Sequence, residues 1–197
     1  MSLAEKITAI AENVPKVYEA GKQAEYDRYW DIKQDNGNKQ FYSYAFYYWE
    51  NEIYNPKYPI YCKGSNTANQ TFRYAKILDT KVDITIYSNN STYVFAESEI
   101  QTIKKLKVTK DTSFLNWFMS AYNIKNLTIE GIIANDFDIH WSTKLSKASI
   151  TNIISVLSSS VSGKTVTISN TAKNNAFTDE EWQTLVATKP NWTIVLV

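Results

Sequence analysis

The chain has a single histidine, His140, in the segment Asp136-Phe137-Asp138-Ile139-His140-Trp141. In an extended strand alternate side chains share a face, which sets Asp136, Asp138 and His140 on one side and Phe137, Ile139 and Trp141 on the other. Two carboxylates and an imidazole so placed have donor types that suit a divalent ion. The same alternation describes any strand with one wet and one buried face, and that reading outweighs the first. No metal and no cofactor are therefore expected, with Asp136, Asp138 and His140 as the one set that would argue otherwise. The sequence holds no Gly-rich phosphate loop, no Gly-x-Ser-x-Gly elbow and no His-Glu-x-x-His helix. A pair of catalytic carboxylates needs no fixed spacing along a chain, so a glycan hydrolase remains a lesser alternative to a protein that is not an enzyme.

Binding chemistry is denser than catalytic chemistry. The run Phe41-Tyr42-Ser43-Tyr44-Ala45-Phe46-Tyr47-Tyr48-Trp49 is followed by Tyr54 and Tyr58 beside Pro56 and Pro59. Tyrosine is rigid, buries much area and keeps a hydroxyl at its tip, so it can stack on sugars or fill a partner's pocket. Tyr47, Tyr48, Trp49, Tyr54 and Tyr58 are the candidate contact residues. The competing reading, given more weight, is that these rings cover the end of a stack of strands or a subunit contact. With 21 basic and 20 acidic side chains and no long run of either sign, no nucleic-acid partner is expected, and a neutral partner fits better than phosphate. The opening residues lack a signal peptide, and no stretch approaches the ~20 apolar residues of a membrane span. Synthesis in the cytoplasm with no membrane partner is the expectation. Cys62 stands alone and is read as a small buried apolar residue.

Three segments must position these residues. In residues 1–32, Ser2 and Glu5 have capping-box spacing, and Leu3, Ile7, Ile10, Val14 and Val17 recur at steps of four and three. That stripe suits a short self-associating helix, a trimer being favoured, or a helix docked on its own domain. Pro15 should kink or restart it. Residues 33–78 form the aromatic-rich connecting or capping segment, entered by the turn Asp35-Asn36-Gly37-Asn38. Residues 79–197 return repeatedly to a short apolar strand followed by a capped helix or polar loop. From Ile84 the steps to Leu106, Leu127, Val166 and Ile194 are 22, 21, 39 and 28 residues, and Phe137-Asp138-Ile139 is the candidate for the beat missing from the third.

Periods of roughly 20 to 29 residues with a Leu-x-Leu core fall in the leucine-rich-repeat range. Residues 82–87 and 92–95 read as a hairpin across Asn89-Asn90-Ser91. Helices are expected after Ser113, carrying Leu115, Phe118, Met119 and Tyr122 on one face, and after Ser146 or Ser149, carrying Ile150, Ile153, Ile154 and Leu157. A third should follow the Thr178/Glu181 capping box, and Trp192 to Val197 should end the chain as a buried strand. The expected fold is α/β: a short irregular leucine-rich-repeat-like solenoid preceded by N-terminal helices and an aromatic-rich cap.

Leu127-Thr128-Ile129-Glu130-Gly131, Lys144 to Ile154, and Lys164-Thr165-Val166-Thr167-Ile168-Ser169 carry a resemblance, as do Leu3-Ala4-Glu5-Lys6, Ala11 to Lys22, and the ending Trp182-Gln183-Thr184-Leu185 with Lys189 to Ile194. The chain resembles the degenerate leucine-rich-repeat proteins encoded by phages and prophages of low-GC Gram-positive bacteria. That resemblance spans most of the chain, weakest at about residues 65–125, and brings no catalytic residues. It implies a virion-associated structural protein with an N-terminal attachment module and an outward-facing repeat domain. Implied partners are other virion proteins, further copies of itself, and a host cell-surface glycan or protein. A decoration protein of the capsid or tail with no host ligand is the alternative.

Overall fold

The computed structural model describes residues 2, 4, 6–9, 11–14, 16, 43, 45–49, 60–63, 68–77, 79–80, 83–87 and 90–197. Among the described residues seven strands form two all-parallel sheets: β1 (Ile60–Lys63), β2 (Asp83–Tyr87), β3 (Thr102–Lys107) and β4 (Asn126–Glu130) in one, β5 (Phe137–Asp138), β6 (Lys164–Ile168) and β7 (Trp192–Leu196) in the other. Within each sheet the strands lie in chain order. The expected hairpin is therefore absent: residues 83–87 pair in parallel with β1 and β3, and residues 94–97 form a turn.

The first sheet buries one face. Ile84, Ile86, Ile103, Leu106, Leu127 and Ile129 point into the core, while Asp83, Lys105, Lys107 and Glu130 meet in a network of ion pairs 3.3 to 4.0 Å long on the outer face. Ile103 pairs with Leu127 and Leu106 with Ile129, so two residues of β3 oppose one of β4 between these pairs. That bulge corrects the spacing read from the sequence: Leu127 does not answer Leu106.

A second column runs behind this sheet. Phe46, Phe72, Phe95 and Phe118 stack nearly parallel, with centroids 4.9, 5.3 and 5.5 Å apart. Each sits in a tight turn whose amides donate to the next turn: Phe46 N–H to Thr71 O at 2.8 Å, Phe72 to Val94 at 2.7 Å, Phe95 to Trp117 at 2.8 Å. Helical spacing after Ser113 thus misleads, because residues 115–120 are such a turn. Phe118 is buried, whereas Leu115 and Tyr122 are exposed.

β5 joins this column and not the first sheet. Phe137 lies 5.5 Å from Phe118 and 5.0 Å from Phe114 and pairs with Val166 of β6. The place beside β4 is taken by helix α1 (Lys147–Ser155). Asn152 accepts from Ile129 N–H at 2.6 Å and donates to Ile129 O at 3.1 Å, and Ser149 Oγ accepts from Leu127 N–H at 2.9 Å. Of the two cap candidates Ser146 is the N-cap, which frees Ser149 for the strand edge. Ser169 caps α2 (Asn170–Ala176), which the sequence reading passed over, and the Thr178/Glu181 capping box opens α3 (Asp179–Val186) as expected. β7 lies at a sheet edge with Trp192 its one buried residue, a correction to the buried final strand that was expected.

One cluster of buried side chains runs from Ala45 to Trp192, across the expected boundary at 78/79. Cys62 lies within it, and burial pushes its thiol up to about 12, so the thiolate is not formed at neutral pH. Residues 4, 6–9, 11–14 and 16 are helical, with Ile7 and Val14 each 58% exposed. Leu3, Ile10, Val17, Glu5 and Pro15 lie outside the described residues. Among the described residues no helix is long and apolar enough to cross a membrane.

Two outcomes follow for the purified chain. Phe95→Ala, which empties the middle of the aromatic column, should cost about 3–5 kcal/mol in urea unfolding; a loss under about 1 kcal/mol would contradict the packing. Cys62 should resist a thiol reagent until denaturant is added, and fast labelling of the native chain would show the site open.

Candidate functional site

The aromatic-rich run and the phenylalanine column together build one surface cluster. Phe46 and Phe72 point inward, which turns Tyr47, Tyr48, Arg73 and Tyr74 outward on adjacent turns. Tyr48 is 58% exposed and stacks on Tyr74, with centroids 4.6 Å apart and planes 9° from parallel. Tyr47 stands edge-on to both, at 4.7 and 5.6 Å. The guanidinium of Arg73 lies 4.8 Å from the ring centres of Tyr74 and Tyr93. It donates to Glu97 Oε1 at 2.7 and 3.1 Å, to Gln70 Oε1 at 2.9 Å and to the Tyr74 hydroxyl at 3.0 Å.

The electrostatics suit a neutral ligand. Burial disfavours the charge on Arg73, but the Glu97 carboxylate more than offsets this and holds its pKa above the ordinary value. The same carboxylate raises the Tyr74 phenol, which stays a hydroxyl donor at neutral pH. With its charge already answered by Glu97, Arg73 acts as a stacked brace between two tyrosines and not as an anion receptor.

Tyr48, Gln70, Tyr74, Tyr93 and Glu97 all have φ between 52° and 60°. Backbone strain of this kind often marks function. Here the same geometry recurs at Asn116 and Ser120, so that Gln70, Tyr93 and Asn116, like Tyr74, Glu97 and Ser120, repeat every 23 residues. The left-handed backbone therefore belongs to the turn, whatever chemistry the turn carries.

Of the residues named from the sequence, Tyr47 and Tyr48 enter this cluster. Trp49 is half-buried against the core, edge-on to Phe46 at 6.0 Å, and Tyr54 and Tyr58 lie outside the described residues. Gln70, Arg73, Tyr74, Tyr93 and Glu97 were missed. The spacing of Phe72, Phe95 and Phe118, 23 residues each time, was the signal that would have set them side by side. Asp136, Asp138 and His140 do not converge. Asp136 Oδ1 accepts from Thr165 N–H at 2.9 Å, Asp138 Oδ1 meets His140 Nδ1 at 2.6 Å, and no group of three such ligands occurs among the described residues. The chain matches no protein-family model, no curated protein and no solved structure.

Whether these rings hold the fold or await a partner is measurable. Arg73→Ala should cost about 1–3 kcal/mol in unfolding, through the orphaned Glu97 and lost stacking. Tyr48→Ala should cost under about 1.5 kcal/mol, since it removes one exposed stacked ring. A larger loss at Tyr48 would make it a structural cap.

Proposed function

We propose that this chain is a non-enzymatic structural protein of a phage particle or phage-tail-like device, in which a leucine-rich-repeat-like solenoid displays a surface for attachment to a protein or a host cell. The observation that carries this reading is the exposed Tyr48 stack, held by Tyr74 and Arg73 on turns that the phenylalanine column fixes. A rigid exposed aromatic patch whose Arg73 is internally satisfied is a contact surface, because its burial by a partner gains apolar area at little ordering cost. Parallel strands returning to each sheet in chain order support the solenoid, since each added turn lengthens the displayed face.

The N-terminal helix supplies the anchoring half of the proposal. Ile7 and Val14, two members of the apolar stripe, are exposed and would be covered by sister copies or by another virion protein. The decoration reading assigns Tyr48 to the same kind of burial, against neighbours on the particle and not against a host.

Fluorescently labelled full-length protein separates these readings when mixed with Gram-positive host cells. Saturable adsorption that falls at least tenfold in Tyr48→Ala is expected. Adsorption unchanged by Tyr48→Ala overturns the role of the cluster, and no adsorption to any host strain moves the protein to decoration. By light scattering the full chain should be a trimer and the Ile7→Asp/Val14→Asp variant a monomer; equal masses would remove the helix as the assembly element.

A further inference from the structure

A cleft of about 650 Å³ opens where the turn at 110–115 faces the segment at 135–136 and the start of β6. Leu115, 59% exposed, lines it, above the buried ring of Phe114, which Trp117 and Phe137 hold edge-on at 5.0 Å each. The rim carries Lys110, Asp111, Asn135, Asp136 and Lys164.

The walls are braced before any ligand arrives. Asn135 Nδ2 donates to Lys110 O at 3.3 Å and Thr112 O at 3.1 Å, tying the two loops together. Thr112 accepts from Thr109 N–H at 3.0 Å and donates to Ile86 O at 3.2 Å, which fixes the turn to the end of β2. Asp136 is held on the other wall by Thr165 N–H. A volume in this range, with fixed polar groups around one exposed apolar side chain, has room for a small polar molecule.

We infer that this cleft binds a sugar unit of a neutral oligosaccharide. Two ammonium and two carboxylate groups on one rim cancel, so neither an anion nor a cation is selected. A sugar hydroxyl both donates and accepts, and matches a rim that offers carboxylate acceptors beside ammonium donors. The exposed Leu115 side chain suits the C–H face of the ring. The turn that carries Leu115 is tied to the neighbouring turn of the aromatic cluster, Tyr93 N–H donating to Leu115 O at 3.3 Å. This inference rests on the attachment reading in naming the host ligand as a glycan.

The test is an array of neutral, amino and acidic oligosaccharides probed with the full chain, followed by titration calorimetry with the tightest binder. Leu115→Ala and Asp136→Asn are the informative variants, the second keeping the Oδ1 acceptor for Thr165; Glu180→Gln on α3 is the control. Each of the two should weaken binding of a neutral glycan at least tenfold with an unchanged circular dichroism spectrum, and the control should not. Should either fail to fold, Asp111→Asn replaces it. No glycan bound, affinity unchanged in the cleft variants, loss only in Tyr48→Ala, or selective retention of the amino or acidic glycans would each overturn the inference. Glycan binding that persists while host cells are not adsorbed would sink the attachment reading and leave the cleft standing.

Discussion

Stacking of Phe46, Phe72, Phe95 and Phe118 is the constraint on which the rest of the structure depends. Rings about 5 Å apart and nearly parallel match the ~4.8 Å separation of hydrogen-bonded parallel chains, so a single spacing satisfies both the aromatic contacts and the amide ladder between turns. A slip of one residue in any turn would expose a phenylalanine and orphan the amides beside it, at a cost of several kcal/mol. The left-handed residues flanking Phe72, Phe95 and Phe118 are tolerated because this packing over-determines them. From that register the surface follows: with Phe46 and Phe72 turned inward, Tyr47, Tyr48, Arg73 and Tyr74 of the same two turns are thrown together.

The two columns part company after β4. The second column continues from Phe137 of β5 to Val166 of β6 and Ile194 of β7, whereas the first sheet stops, and its final edge is covered by side chains of α1. Asn152 offers Ile129 a carbonyl and an amide in the places where a strand backbone would offer them. An uncovered parallel edge invites pairing with another chain, and a helix with a polar stripe at Ser149 and Asn152 removes that hazard without a further strand. At the opposite end of the molecule β7 remains an edge, with Ile194 and Leu196 partly buried.

Much of this was legible before the structure. Alternation in residues 83–87, 126–130 and 164–168 marked true strands because their alternate apolar residues are buried in the core. Thr178/Glu181, and Ser146 as one of two candidates with Ser149, marked true helix starts because capping is a local interaction. Tight turns with left-handed backbone at Gln70, Tyr93 and Asn116 were not legible, since none of these residues is a glycine to announce it. Leu115, Phe118, Met119 and Tyr122 imitate a helical face for the same reason: their spacing of three and four is the geometry of a turn flanked by positive φ. The candidate site was half visible. Tyr47 and Tyr48 stood out by density, but Arg73, Tyr93 and Glu97 come together only through contacts 20 and more residues apart, which composition cannot reveal.

The central claim is the register of the aromatic column, and nuclear Overhauser effects between selectively ring-labelled phenylalanines test it most directly. Phe72 should show strong effects to Phe46 and Phe95, its neighbours at 4.9 and 5.3 Å, and none to Phe118, two steps away. Contacts from Phe72 to Phe118, or none to Phe95, would place the turns in a different order and remove the basis for the surface built upon them.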